Sequence, residues 1–163
     1  MSGRSFKVIL FAHDYVGKEI IEFLLQHKKR DLLAVVLTDR NSNCLNTLIE
    51  NSFNSSKIFF YNEIHDSRLI SFLKENSEAQ IILAWWPKII KEPILSIPSK
   101  GIINFHPSYL PYNRGKDANF WTIIEETPFG VTLQIIDESI DGGDILFQIT
   151  IEKKWTDTGK SLY

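Results

Sequence analysis

Residues 6–29 read "FKVILFAHDYVGKEIIEFLLQHKK", and their two halves decide the fold. Residues 6–12 are a short apolar run rich in strand formers. In the half that follows, Val16, Ile20 and Leu24, with Ile21 and Leu25 beside them, recur at helical spacing. That is a strand, a turn and a helix. Residues 32–39, "LLAVVLTD", are again continuously apolar, the pattern of a strand buried on both faces in a parallel sheet covered by helices. Further strands are expected at 57–61, 80–86 and 101–105. A helix is expected over "DSRLISFLKEN" (66–76), with Asp66 or Ser67 as its cap and Leu69, Ile70 and Leu73 on one face.

Strands that alternate with helices imply right-handed crossovers. Beyond residue 115 the rhythm changes. "DANFWTIIEE" (117–126) suits a helix, while "GVTLQIID" (130–137) and "DILFQITIE" (144–152) alternate around "ESIDGG", as an adjacent antiparallel pair does. The expected fold class is α/β: a Rossmann-like open twisted sheet, mostly parallel, with antiparallel strands in the C-terminal part and helices on both faces. The 163 residues suffice for one sizeable core and not for two ordinary domains. A single domain over 1–163, cut short at its C-terminal end, is expected. The reason is "TDTGKSLY" (156–163), which carries a Thr156 or Asp157 cap and places Leu162 and Tyr163 on the apolar face of a helix that stops after its first turn.

Composition narrows the function. With 18 Lys plus Arg against 20 Asp plus Glu, the net charge of -2 offers no general cationic surface for nucleic acid. Cys44 is the one cysteine, so neither an intramolecular disulfide nor a thiolate metal cage can form, and a small buried hydrophobe is its expected role. The run "VILFA" is too short for a signal peptide core, and no stretch approaches the roughly 20 apolar residues of a membrane helix. A cytoplasmic location, with no membrane partner, is the expectation.

The chemistry concentrates in "NFHPSYLPYNRG" (104–115). Side chains two apart on a strand share a face, so Asn104 and His106 point one way, and Pro107 turns the chain out of the sheet. Strand C-terminal edges are where ligand crevices lie in open α/β sheets. An amide and an imidazole there can cradle an oxygen that gains charge during attack on a carbonyl, or serve as a hydrogen-bonded structural pair. "DGGD" (141–144) reads as a turn in which Gly142 and Gly143 supply backbone freedom. Asp141 either belongs to that turn alone or faces His106 and orients its ring.

The loop after the first strand holds only Gly17 and lacks the G-x-G-x-x-G spacing of a dinucleotide site. His13 and Asp14 lie at the same sheet edge, in a solvated loop or against a ligand. Trp85, Trp86 and Pro87 end the fourth strand, where they either pack in the core or line a flat heteroaromatic ligand. No Ser-His-Asp elbow, His-x-x-x-His or P-loop lysine occurs, which leaves non-covalent acyl transfer.

Asn104, His106, Pro107, Ser108, Leu110 and Pro111, followed by Asp141 and Gly143, resemble the motif Asn-x-His-Pro-Ser-x-Leu-Pro and Asp-x-Gly turn of the folate-dependent formyltransferases. The resemblance covers essentially the whole chain. It implies that Asn104, His106 and Asp141 are catalytic, that the donor is 10-formyltetrahydrofolate, and that no metal is needed. A neutral amine would attack the formyl carbon, Asn104 and a protonated His106 would stabilise the oxyanion, and Asp141 would stabilise the imidazolium and help relay the amine proton. Trp85, Trp86 and Pro87, with Asp137, Ile140 and Gly142 of the 137–142 loop, would flank the folate.

"YNRGKDANFWTIIEETPFGVT" (112–132) looks most like formyltransferases of nucleotide-linked amino sugars, of the kind that supply bacterial surface polysaccharide. A dTDP-linked 4-amino-4,6-dideoxyhexose is the leading substrate. Arg114 would pair with a diphosphate or a folate carboxylate, or form a structural salt bridge; Tyr109, Asn113, Lys116, Asn119 and Trp121 are looser sugar or nucleotide contacts. Glycinamide ribonucleotide formyltransferases have a glycine-rich first loop, from which "AHDYVGKE" departs, and methionyl-tRNA formyltransferases carry a further C-terminal domain. Those two activities, one domain of a bifunctional enzyme, and a catalytically silent folate or nucleotide-sugar binding module remain the alternatives. A homodimer through a C-terminal region is a further expectation.

Overall fold

A computed structural model describes residues 6–29, 31–61 and 67–162. The chain divides into two compact units, Met1–Ile102 and Ile103–Tyr163.

The first unit alternates strands and helices: β1 (Val8–Ala12), α1 (Asp14–His27), β2 (Leu32–Leu37), α2 (Asn43–Glu50), β3 (Ile58–Phe60), α3 (Ser67–Glu75) and β4 (Gln80–Ala84). Its strands lie in the order β3-β2-β1-β4, each neighbouring pair parallel. Every side chain of β1 is buried, as the unbroken apolar run requires of a strand with cover on both sides. Val8, Leu10 and Ala12 share a cluster with Ile21 and Leu25 of α1 and Cys44 and Leu48 of α2. Ile58 joins that cluster, so Phe59 faces the opposite side. There its ring meets Phe72 of α3 at 5.0 Å, which puts helices on both faces of this sheet.

Gly17 explains how closely α1 approaches β1: a Cβ there would lie 3.0 Å from the Ala12 carbonyl carbon and 3.1 Å from its Cβ. α2 has no counterpart in the sequence reading. It is short, and its signal is the Ser42 cap, whose side chain accepts a hydrogen bond from Leu45 N at 3.3 Å. For α3, the Asp66 cap lies outside the described residues. β4 stops at Ala84 rather than running to 86, because Trp85 adopts φ 57 and turns the chain out of the extended region.

The second unit contains β5 (Ile102–His106), α4 (Ala118–Ile124), β6 (Gly130–Ile135) and β7 (Ile145–Thr150). β5 pairs antiparallel with β6, and β6 antiparallel with β7. β7 is exposed along nearly its whole length, Ile145, Leu146, Phe147 and Ile149 included. No helix forms over 156–162: the segment is a set of turns in which Asp157 accepts from Lys154 N and Ser161 Oγ. One helical turn carries too few hydrogen bonds to offset the ordering of its backbone. The fold is thus α/β and Rossmann-like, with parallel strands in its first unit and antiparallel strands in its C-terminal part. Among the described residues no helix is long and apolar enough to cross a membrane.

Candidate functional site

Alternation along β5 puts Asn104 and His106 on one face, opposite Gln134 and Thr132 of β6. His106 is 4% exposed, and each of its ring nitrogens faces an oxygen. Nδ1 lies 3.5 Å from Asp141 Oδ2. Nε2 lies 3.2 Å from the Asn113 carbonyl oxygen, an acceptor, so this nitrogen donates. A ring that carries both protons can donate to both neighbours. The half-buried Asn104 amide makes no side-chain hydrogen bond among the described residues, which leaves its two N–H donors for a ligand oxygen.

Asp141 reaches His106 from the loop between β6 and β7. It has φ 46, a left-handed conformation that Asp tolerates better than most residues. Its carboxylate is held from two further sides: Gly115 N donates to Oδ2 at 2.8 Å, and Gln134 Nε2 donates to Oδ1 at 2.9 Å. The turn glycines work differently from expectation. The positive φ falls on Asp141, and Gly143 is required by close approach, since a Cβ there would overlap the Ile135 carbonyl oxygen.

The segment after Pro107 is fixed by a buried polar group of β6 and a half-buried one of β7. Thr132 Oγ1 donates to Ser108 O at 2.7 Å and accepts from Leu110 N at 3.1 Å. Gln148 Nε2 donates to Leu110 O at 2.8 Å and Thr132 Oγ1 at 3.0 Å. Further along, Asn113 adopts φ 52, its amide donating to Glu125 Oε2 at 2.7 Å and accepting from Thr127 Oγ1. Lys153 Nζ in turn donates to the Thr122 and Thr127 carbonyls, each at 2.6 Å. This chain of contacts aims the Asn113 carbonyl at His106.

The remaining expected site residues spread more widely. Arg114 is exposed, and its guanidinium lies near Gly142, whose added Cβ would sit 3.7 Å from Nη1. Hydrogen bonds from Ser139 hold the exposed Asp137 carboxyl below its usual value, and Arg114 adds a weaker pull. Ile140 is exposed, as are Lys116 and Trp121; Tyr109 is half-buried. Trp121 packs edge-on against Phe120 at 5.5 Å, and Asn119 Nδ2 donates to Gly159 O.

In the first unit, Trp86 belongs to an aromatic cluster, with centroids 5.1 Å from Phe11 and 5.3 Å from Tyr61. Trp86 is half-buried within that cluster. Trp85 is half-buried and Pro87 exposed. His13 Nδ1 lies 2.8 Å from Thr38 Oγ1, and Asp14, with φ 53, begins α1. Gln134 and Gly115 are contacts of the candidate site that sequence reasoning did not find, and Asn113, expected as a looser sugar or nucleotide contact, meets His106 through its backbone carbonyl. Polar Thr132 and Gln134 alternating with apolar Val131, Leu133 and Ile135 were the available signal for Gln134. Among the described residues there is no group of three or more His, Cys, Asp or Glu side chains suited to a metal ion.

A family model described as formyl transferase matches residues 14–163. The bifunctional polymyxin resistance protein ArnA of Wigglesworthia glossinidia brevipalpis is 32% identical over 168 residues, covering 96% of this chain and 25% of that protein. A methionyl-tRNA formyltransferase of Syntrophus aciditrophicus is 41% identical over 86 residues, 52% of this chain and 28% of that protein. The matches thus span about a quarter of the length of these two relatives. Among solved structures, phosphoribosylglycinamide formyltransferase from Anaplasma phagocytophilum superposes with a TM-score of 0.81 at 21% identity, over 98% of this chain and 78% of that one. WlaRD, a sugar 3N-formyl transferase solved in the presence of dTDP and 5-N-formyl-THF, gives 0.74 at 23% identity, over 99% and 57%. At these identities the likeness is one of fold.

Proposed function

This chain belongs to the formyl transferase family, and from that premise we propose that it transfers a formyl group from 10-formyltetrahydrofolate to the amine of a nucleotide-linked amino sugar, a dTDP-linked 4-amino-4,6-dideoxyhexose first among them. The observation that carries the reading is the pairing of His106 with Asp141 at 3.5 Å beside an Asn104 amide whose donors are uncommitted. Two N–H groups of Asn104, joined by the Nε2–H of His106 once it exchanges the Asn113 carbonyl for the ligand, are the donor set an acyl oxygen needs as it gains negative charge.

In the proposed reaction the neutral amine attacks the formyl carbon and the carbonyl electron pair moves onto oxygen. Asn104 and protonated His106 donate to that oxygen, and Asp141 balances the imidazolium. The amine loses a proton, relayed by Asp141 and His106, and the carbon–nitrogen bond to the folate breaks as that nitrogen regains a proton. Arg114, exposed beside the 137–142 loop, suits an anionic group, a diphosphate or a folate carboxylate. Tyr109, Lys116 and Trp121 are the proposed nucleotide-sugar contacts. Support for the acceptor comes from the sugar formyl transferase whose fold this chain shares, solved with dTDP. Methionyl-tRNA is the second reading, favoured by identities of 31–41% to several methionyl-tRNA formyltransferases.

The test incubates purified protein with 10-formyltetrahydrofolate and, separately, amino-sugar nucleotides, methionyl-tRNA and glycinamide ribonucleotide, and follows tetrahydrofolate release. Release that depends on an amino-sugar nucleotide is expected. Release with methionyl-tRNA alone would replace the acceptor, and release with none would refute the activity.

A further inference from the structure

We propose that Gln134 is a positioning residue: its amide holds Asp141 against His106 and ties a loop-borne carboxylate to the strand pair that carries the imidazole. The inference deepens the reading above and rests on it for its kinetic consequence. Gln134 sits in β6, is wholly buried, and is the register partner of Asn104, next along the same face to Thr132, the partner of His106. Asp141 lies in a loop outside the strands, half-buried, and two donors hold it besides His106. One of these, Gly115 N, is itself in a loop at φ 85 and cannot fix Asp141 to the sheet. The other is Gln134 Nε2 at 2.9 Å. The spacing between carboxylate and ring is therefore set by the β5–β6 ladder acting through one amide.

The chemistry also fixes which end of the amide faces the loop. A carboxylate only accepts, so nitrogen must point at Asp141 Oδ1, and Oε1 would repel it. Oε1 is buried and finds no donor among the described residues. Among the described residues nothing else thus competes to set the amide's direction. A residue kept here for volume alone would be served as well by Met, which leaves no buried polar atom to satisfy.

Two variants separate these roles: Gln134→Met keeps the bulk and removes the donor, and Gln134→His keeps a ring N–H. With histidines labelled by nitrogen-15, the His106 ring protons are read directly, assigned among the four histidines by their loss in His106→Gln. In Gln134→Met, solvent exchange of the Nδ1 proton should quicken about tenfold or more as the carboxylate loosens. The kcat should fall about tenfold or more while KM for both substrates stays within about twofold. Gln134→His should recover both to within about threefold of the parent. In an Asp141→Ala background, Gln134→Met should change neither by more than about twofold, because the amide has no side-chain acceptor left to hold.

Unchanged exchange in a folded Gln134→Met protein, or equal losses in both backgrounds, would overturn the proposal. If melting curves show that Gln134→Met unfolds, Gln134→Glu, which keeps length and polarity but sets a second carboxylate against Asp141, is read by the same two measurements with the same expected direction. The exchange measurement needs no substrate. Altered exchange in a protein that formylates nothing would leave the positioning intact and remove the activity; turnover with unaltered exchange would do the opposite.

Discussion

Asp141→Asn tests the proposed chemistry with the least disturbance to shape. Asp141 retains 15% side-chain exposure and His106 5%, with 3.5 Å between Oδ2 and Nδ1. Opposite charges about 4 Å apart attract by about 4 kcal/mol at an effective dielectric constant near 20. Part of that is screened through the exposed side of Asp141, which leaves about 3 kcal/mol, or about two powers of ten in rate. The fold should tolerate the change. Asn still accepts from Gly115 N or Gln134 Nε2, and where its own NH₂ would face the Gln134 donor, that amide can flip to present the partnerless Oε1. Initial rates of tetrahydrofolate release at saturating donor and acceptor should therefore show kcat reduced about a hundredfold, KM within a few-fold and a near-parental melting temperature. A kcat within threefold of the parent would refute the assigned role of Asp141, and a raised KM at constant kcat would make it a binding group instead.

Thr132→Val keeps the shape but removes the acceptor for Leu110 N and the donor to Ser108 O in a fully buried position, so the urea midpoint should drop by the equivalent of about 1–3 kcal/mol; an unchanged midpoint would show that these bonds re-form elsewhere. In Gly17→Ala, the gain in helix propensity of about 1 kcal/mol opposes an overpacking cost of about 1–3 kcal/mol against the immobile backbone of Ala12, and net destabilisation is expected by denaturant titration. Burial pushes the Cys44 thiol from its ordinary value near 9.0 up to about 11, with Asp14 adding to the rise. Below pH 9 the thiol is protonated folded or unfolded; between 9 and about 11 only the unfolded chain loses the proton, so stability falls as pH rises. Urea titrations should show a steeper loss over that window for the parent than for Cys44→Ala, and parallel curves would contradict the burial argument.

Much of the architecture was legible before any coordinates. The apolar runs of β1, β2 and β4 and the helical spacing of α1 carry their conformation in residue type, because solvent exclusion acts on each segment much alike wherever it packs. The same alternation rule set Asn104 and His106 on one face. The reading missed α2, which is only eight residues long, although Cys44, Leu45, Leu48 and Ile49 recur at helical spacing behind the Ser42 cap.

For the site, the linear order of residues determined which groups were present: an amide and an imidazole two apart before a proline, and an aspartate in a glycine turn. Only the folded chain decided that Asp141, 35 positions beyond His106, would meet Nδ1, that Gln134 would hold it, and that the Asn113 carbonyl would take Nε2. Strand and helix periodicity act over a few residues, whereas these contacts depend on the β5–β6 register and on loop paths set by buried hydrogen bonds. Those are properties of packing, and no local stretch of the chain encodes them alone.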